Sequence, residues 1–167
     1  MKLKVLFHNS VIKNAEWMVG EQLVQMAISF VLSIISTRYL GPSNFGIINY
    51  CSAYVAFFSS ISALGLEGIL VKELVTSPDK EGLLVGTSIV MRICSGLFSV
   101  VSITVLLIIV KPGDYTVQLV GLLQSLVLLF KAFEVFDFWF QSKLKSKYVS
   151  LVKIVSYVLV AVYKVFI

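Results

Sequence analysis

This sequence predicts an all-α fold, a polytopic transmembrane helix bundle of about five spans, on three observations. Hydrophobic residues make up 58% of the 167 and charged residues only 14%, against roughly 45–50% and about 25% in soluble domains. Mean hydropathy is +0.95. The apolar residues also fall in continuous runs of roughly 20 or more, the length a helix needs to cross a bilayer, whereas a membrane barrel would alternate apolar and polar positions. Short polar breaks separate the runs, so no stretch is long enough to build an aqueous catalytic domain with its own core.

The first segment covers about 16–37 and is expected to end at Arg38-Tyr39-Leu40-Gly41-Pro42, because Gly-Pro stops a helix. The second covers about 45–75, its end a helical foot before the turn-forming Thr76-Ser77-Pro78-Asp79. Gly65 and Gly68, around Leu66 and Glu67, suggest a flexible or closely packed exit from its apolar part. The third, 83–110, stops at Lys111-Pro112-Gly113-Asp114; the fourth runs over 115–140 and the fifth over 149–167. Together they are expected to form a single transmembrane domain over 1–167. Met1–Asn14 is basic and mixed and lacks the compact apolar core and cleavage site of a signal peptide. It reads as a cytoplasmic, interfacial lead-in, with His8 exposed rather than a ligand.

Lysines set the expected orientation. Lys2, Lys4 and Lys13, then Lys72 and Lys80, then Lys143, Lys145 and Lys147 flank one side of the spans, against Arg38 and Lys111 on the other. The positive-inside rule places the first group, and the N-terminus, in the cytoplasm. The net charge of +5 then reflects topology and contact with anionic lipid, not nucleic acid.

Polar residues inside the spans lie in stripes. Ser88, Arg92, Ser95, Ser99 and Ser102 recur three and four residues apart in the third segment, on one helical face. Gln22, Gln25, Ser29, Ser33 and Ser36 do the same in the first, and Gln124, Lys131, Glu134 and Asp137 share a face of the fourth. A cation at the bilayer centre costs about 2.5–3.5 kcal/mol on insertion scales, so Arg92 and Lys131 are expected to pair with acids or to line a hydrated path. At 1.5 Å per residue both lie roughly 15 Å from the cytoplasmic helix ends, near mid-membrane. Arg92, Lys131, Gln25, Ser88, Ser95, Ser99 and Gln124 are therefore candidates to line a transport path. Glu134, Asp137 and Lys153 are candidates for coupling or charge pairing: Glu134 with Arg92 or Lys131, Asp137 with Lys153. Phe133, Phe136, Phe138, Trp139 and Phe140 read as interfacial anchors.

Nothing in the chain suggests catalysis. A nucleophile elbow, a metal-ligand cluster and a phosphate-cradling glycine loop are all missing, so neither an enzyme nor a cofactor is expected. Cys51 and Cys94 both lie in apolar runs and read as buried small hydrophobes rather than a disulfide or a metal site.

Three stretches carry a family resemblance. Thr37-Arg38-Tyr39-Leu40-Gly41-Pro42-Ser43-Asn44-Phe45-Gly46-Ile47 closely resembles the RYLGP-x-x-[YF]-G signature of polysaccharide-biosynthesis exporters, the O-antigen and capsule flippases of the Wzx type. These belong to the multidrug/oligosaccharidyl-lipid/polysaccharide (MOP) superfamily. The stretches 63–74 and 140–148 look like the same family, in matching order and spacing. The resemblance implies a bacterial inner-membrane protein that moves undecaprenyl-diphosphate-linked sugar units to the outer leaflet. Implied partners are the lipid-linked oligosaccharide, membrane lipids and polysaccharide polymerase machinery. Family members carry roughly a dozen or more helices in two bundles, so the chain resembles an N-terminal portion of one. In this frame Arg92 and Lys131 would hold phosphate or acidic sugar by charge-assisted hydrogen bonds. Rival readings are a cation-coupled drug exporter of the same superfamily, a membrane-embedded enzyme, and a non-transporting fragment.

Overall fold

The computed structural model describes residues 2–63 and 65–166, with side chains from Ile12 onward. The expectations for His8, Lys2 and Lys4, and for a fifth span reaching residue 167, thus fall in part outside the described residues. Among those residues every regular element is helical: α1 (Lys2–Ser62), α2 (Leu66–Thr76), α3 (Glu81–Val110), α4 (Tyr115–Ser125), α5 (Val127–Phe130), α6 (Glu134–Ser142) and α7 (Ser146–Phe166), with 3-10 turns at Pro78–Lys80 and Lys131–Phe133.

Four helical runs are long and apolar enough to cross a membrane: Ile12–Thr76, Pro78–Val110, Tyr115–Ser142 and Ser146–Phe166. The first contains both of the first two segments expected from sequence, because Gly41-Pro42 does not open a loop. Only Gly41 leaves helical geometry (φ 77, ψ 159). Pro42 restarts the helix at once, since a first-turn proline lacks only an N–H that would have had no partner there. The second expected segment is itself divided: α1 ends at Ser62, and α2 begins after Gly65 in the left-handed region (φ 62, ψ 15). The stop after the third segment is as expected, and Asp114 caps α4 by accepting the Val117 N–H at 3.2 Å.

Two compact units emerge, Met1–Gly41 with Phe140–Ile167, and Pro42–Trp139. In the first, the early part of α1 runs parallel to α7. Asn14 Oδ1 accepts the Ser146 N–H at 2.9 Å, capping α7. Lys147 Nζ lies 5.4 Å from the centre of the Trp17 ring, and Lys153 Nζ 3.9 Å from Glu21 Oε1. Further along, Ala27, Val31 and Ile35 face Ala161, Val162 and Val165 across an open apolar groove. A Schellman motif ends α6: the Lys145 N–H reaches the Phe140 carbonyl at 2.9 Å and the Leu144 N–H reaches Gln141 at 3.0 Å. Leu144 holds the left-handed position, φ 55, that glycine usually takes.

The second unit packs the late part of α1, α2, α3 and the α4–α6 run around two apolar clusters. Cys51, Ile103, Leu107, Val117 and Leu128 form one; Leu70, Leu74 and Val135 form the other. Gly96 lets α3 approach α5 so closely that a Cβ there would lie 3.1 Å from the Leu128 carbonyl oxygen, the close backbone approach that small residues permit between membrane helices. Outward-facing Val90, Phe98, Val101 and Ile109 of α3 are exposed, as a surface solvated by lipid tails would be.

Candidate functional site

Between the two apolar clusters of the second unit lies a polar layer, and its origin is in the backbone. α1 breaks off at Ser62, and the α4–α6 run lapses into a 3-10 turn at Lys131–Phe133. Carbonyls at such interruptions lose an intrahelical donor, and at membrane depth they need a replacement from protein or trapped water. Ser95 of α3 supplies it at the first interruption, and Arg92 of α3 adds a donor at the second, where the Lys131 carbonyl also accepts the Glu134 N–H of the 3-10 turn. Ser95 Oγ donates to the Ser62 carbonyl at 3.0 Å, with Ser62 Oγ itself 3.1 Å from Ser95 Oγ. One turn away, Arg92 Nη1 donates to the Lys131 carbonyl at 3.3 Å.

Charge concentrates at the same level. Arg92 is 4% exposed and donates from Nη1 to Glu134 Oε2 at 2.9 Å. Its Nη2 lies 3.8 Å from Glu67 Oε1, close enough for ion pairing and too far for a hydrogen bond. The Phe138 ring covers the guanidinium, 5.2 Å from its centroid. Lys131 Nζ donates to Ser59 Oγ at 2.6 Å. Among the described residues, no carboxylate oxygen lies within ion-pair distance of that nitrogen. Ser59, Ser62, Glu67, Arg92, Lys131 and Glu134 together line a cavity of ≈ 60 Å³. Arg92 Nε and Nη2 are buried with no hydrogen-bond partner, and each unmet buried donor costs about 1–3 kcal/mol.

The structure thus gathers Arg92, Lys131, Ser95 and Glu134 from the residues singled out by sequence, and the Arg92–Glu134 pairing is as expected. Ser88 and Ser99 are buried on α3 without lining the cavity, and Ser99 Oγ donates to the Ser95 carbonyl of its own helix at 2.8 Å. Gln124 ties α4 to α1 instead, accepting from Ser52 Oγ at 3.1 Å and donating to the Ile48 carbonyl at 3.3 Å. Asp137 lies half-buried one turn beyond Glu134. Gln25 and Lys153 belong to the first unit, where Lys153 pairs with Glu21. Phe138 and Trp139 pack inward against the Leu70 cluster, and Trp139 Nε1 hydrogen-bonds Glu81, so these two aromatics are not merely interfacial anchors. Sequence reasoning missed Glu67, Ser59 and Ser62. The signal for them was a serine run, Ser59-Ser60-Ile61-Ser62, just before a glycine-flanked acid.

Among the described residues no group of histidine, cysteine and carboxylates is arranged to hold a metal ion. What the layer does offer is fixed donors, two cations and two carboxylates around a small cavity at membrane depth, an arrangement that stabilises or exchanges an anion or a proton.

Helical runs long and apolar enough to cross a membrane, with a buried charged layer inside the second unit, define a helical membrane protein. The chain matches the model of the polysaccharide biosynthesis protein family over residues 11–167, and it belongs to that family. Membership assigns it a role in polysaccharide synthesis or export. No curated protein and no solved structure matches it.

Proposed function

We propose that this chain acts in translocating undecaprenyl-diphosphate-linked oligosaccharide units across the bacterial inner membrane for O-antigen or capsule synthesis, as a Wzx-type flippase of the MOP superfamily. The observation that carries this reading is the Arg92–Lys131 layer, lodged inside a bundle whose outer surface suits lipid. A lipid-linked diphosphate keeps its tail in the bilayer while its anionic head needs cationic, hydrogen-bonding surroundings to cross; two cations at this depth supply them. Glu67 and Glu134 keep that layer neutral when no anion is present. The chain works as a carrier and not as an enzyme, with the lipid-linked saccharide, bilayer lipids and the polymerase machinery as partners. Its N-terminus lies in the cytoplasm, by the distribution of lysines.

Complementation tests the reading. A strain lacking its flippase receives this chain, alone and extended with downstream coding sequence, and surface polysaccharide is measured. Restored polysaccharide that is lost on replacing both Arg92 and Lys131 by Ala is the expected result. Failure of both forms, with membrane insertion verified and the sugar system matched, overturns the reading in favour of organic-cation export.

A further inference from the structure

We propose that the apolar groove between α1 and α7 seats one acyl chain of an anionic phospholipid, whose headgroup is held by Arg38 and Lys164. The groove begins where the polar contacts of this helix pair end. Near the start of α7, Ser146 meets Asn14, Lys147 the Trp17 ring and Lys153 Glu21. From Ala27 onward the lining is wholly apolar. It bounds a groove of ≈ 420 Å³ that runs from Ala27 to Ile35, about 12 Å at 1.5 Å per residue. A space so lined gives water no partners, and in a bilayer a hydrocarbon chain fills it. Lipid tails are as apolar as leucine, so the groove admits any acyl chain without preference. Selection has to come from the headgroup.

Charge supplies it. Ser146, Ser150, Lys153, Tyr157, Ala161 and Lys164 recur three and four residues apart on one face of α7, the face through which Ser146 and Lys153 reach α1. Lys164 thus continues that stripe beside the groove. On α1, Val31, Ile35 and Arg38 follow the same spacing. Asn14–Ser146 and Glu21–Lys153 are both 132 residues apart. Carried along α7, that register sets Lys164 level with Leu32, and Arg38 about 9 Å further along. Both cations are exposed, and the stretches 27–41 and 154–166 contain no acid. Among the described residues no carboxylate lies within ion-pair distance of either, whereas Lys153 has Glu21. A lysine that faces hydrocarbon without a counter-charge is costly. Its long stem carries the ammonium toward the headgroup level, which Tyr39, 78% exposed beside Arg38, marks. One phosphate between Arg38 and Lys164 satisfies both cations while its acyl chain lies in the groove. A zwitterionic lipid brings its own ammonium to the same place and loses that advantage.

The test is lipid retention. The chain is reconstituted in nanodiscs of equal parts phosphatidylglycerol and phosphatidylcholine and transferred to mild detergent, and the lipids still bound are counted by native mass spectrometry. About one phospholipid per chain is expected, with phosphatidylglycerol enriched about five- to twentyfold, since each cation close to the anionic charge favours it about fivefold. Arg38→Gln combined with Lys164→Gln should return the ratio to that of the bilayer. Ala27→Leu combined with Ala161→Leu fills the groove and should lower retention of both lipids at least about threefold. If the filled groove fails to fold, as judged by gel filtration, the exposed Arg38 and Lys164 pair decides alone. No enrichment in the parent, enrichment unchanged by the two Gln substitutions, or full retention in a folded filled groove overturns the proposal. So does a groove taken by protein. A lipid-free dimer would put a second copy there, and loss of the lipid on extending the chain with downstream coding sequence would put a further helix there.

Discussion

Arg92 of α3 and Glu134, the first residue of α6, meet at 2.9 Å, and the same Nη1 also holds the Lys131 carbonyl at 3.3 Å. One buried guanidinium thus fastens both a charge and a backbone interruption of the neighbouring helix. Hydrogen bonds to charged groups contribute about 1.5–3 kcal/mol, and Glu134 is 40% exposed, which favours the lower end. Glu134→Ala should destabilise the second unit by about 1.5 kcal/mol, and Glu134→Gln by less, in reversible denaturation from mixed micelles. Equal losses from the two substitutions would mean that the carboxylate's charge is irrelevant and only its shape matters.

Helix contact at Gly96 is the next sensitive point. A Cβ there already presses the Leu128 carbonyl at 3.1 Å, and that neighbour is backbone, which cannot rotate away. Gly96→Leu should force α3 from α5 and cost about 1–3 kcal/mol or more, as overpacking does. Cysteines engineered at Ser99 and Ser125 would report changed spacing through their cross-linking rate, slower in Gly96→Leu than in the parent.

Leu144 holds φ 55 in the turn that ends α6. The left-handed region costs a non-glycine residue about 1–2 kcal/mol, and this leucine is exposed; the gain from glycine is partly offset by the greater conformational freedom glycine loses on folding. Leu144→Gly should leave stability unchanged or raise it by up to about 1 kcal/mol, whereas the β-branched Leu144→Val should lower it. Thermal unfolding in detergent would order the three chains; valine at or above glycine would contradict the turn geometry.

Asn14 caps α7 across a long sequence separation, its Oδ1 2.9 Å from the Ser146 N–H. Removing an N-cap acceptor costs about 0.5–2 kcal/mol. Asn14→Ala should therefore speed hydrogen exchange in the first turn of α7, and Asn14→Asp should restore protection. Exchange unchanged in Asn14→Ala would show that α7 needs no such acceptor.

Helical class was legible because it depends on local properties: run length, hydropathy and turn chemistry. The third segment, expected over 83–110, appears as Glu81–Val110. Arg92, Lys131 and Glu134 were legible too, because a charge among apolar residues stands out in any window. Gly41-Pro42 was legible as the place where the first helix stops, and Gly41 does leave helical geometry there; local composition did not show that the break is a single residue, because a proline that ends one helix equally starts the next. Glu67 was hidden for a different reason. At the start of α2 it looks like an ordinary first-turn acid, and only folding brings it to Arg92.

By itself, then, the sequence determined that the chain forms helices long and apolar enough to span a membrane and that charges lie within those runs, because the cost of exposing backbone and charge to lipid acts residue by residue. The tertiary structure alone decided which charges meet, which carbonyls the side chains of α3 reach and which donors of Arg92 are left without a partner. Those outcomes depend on where the chain breaks place side chains from distant segments, and no single segment carries that information.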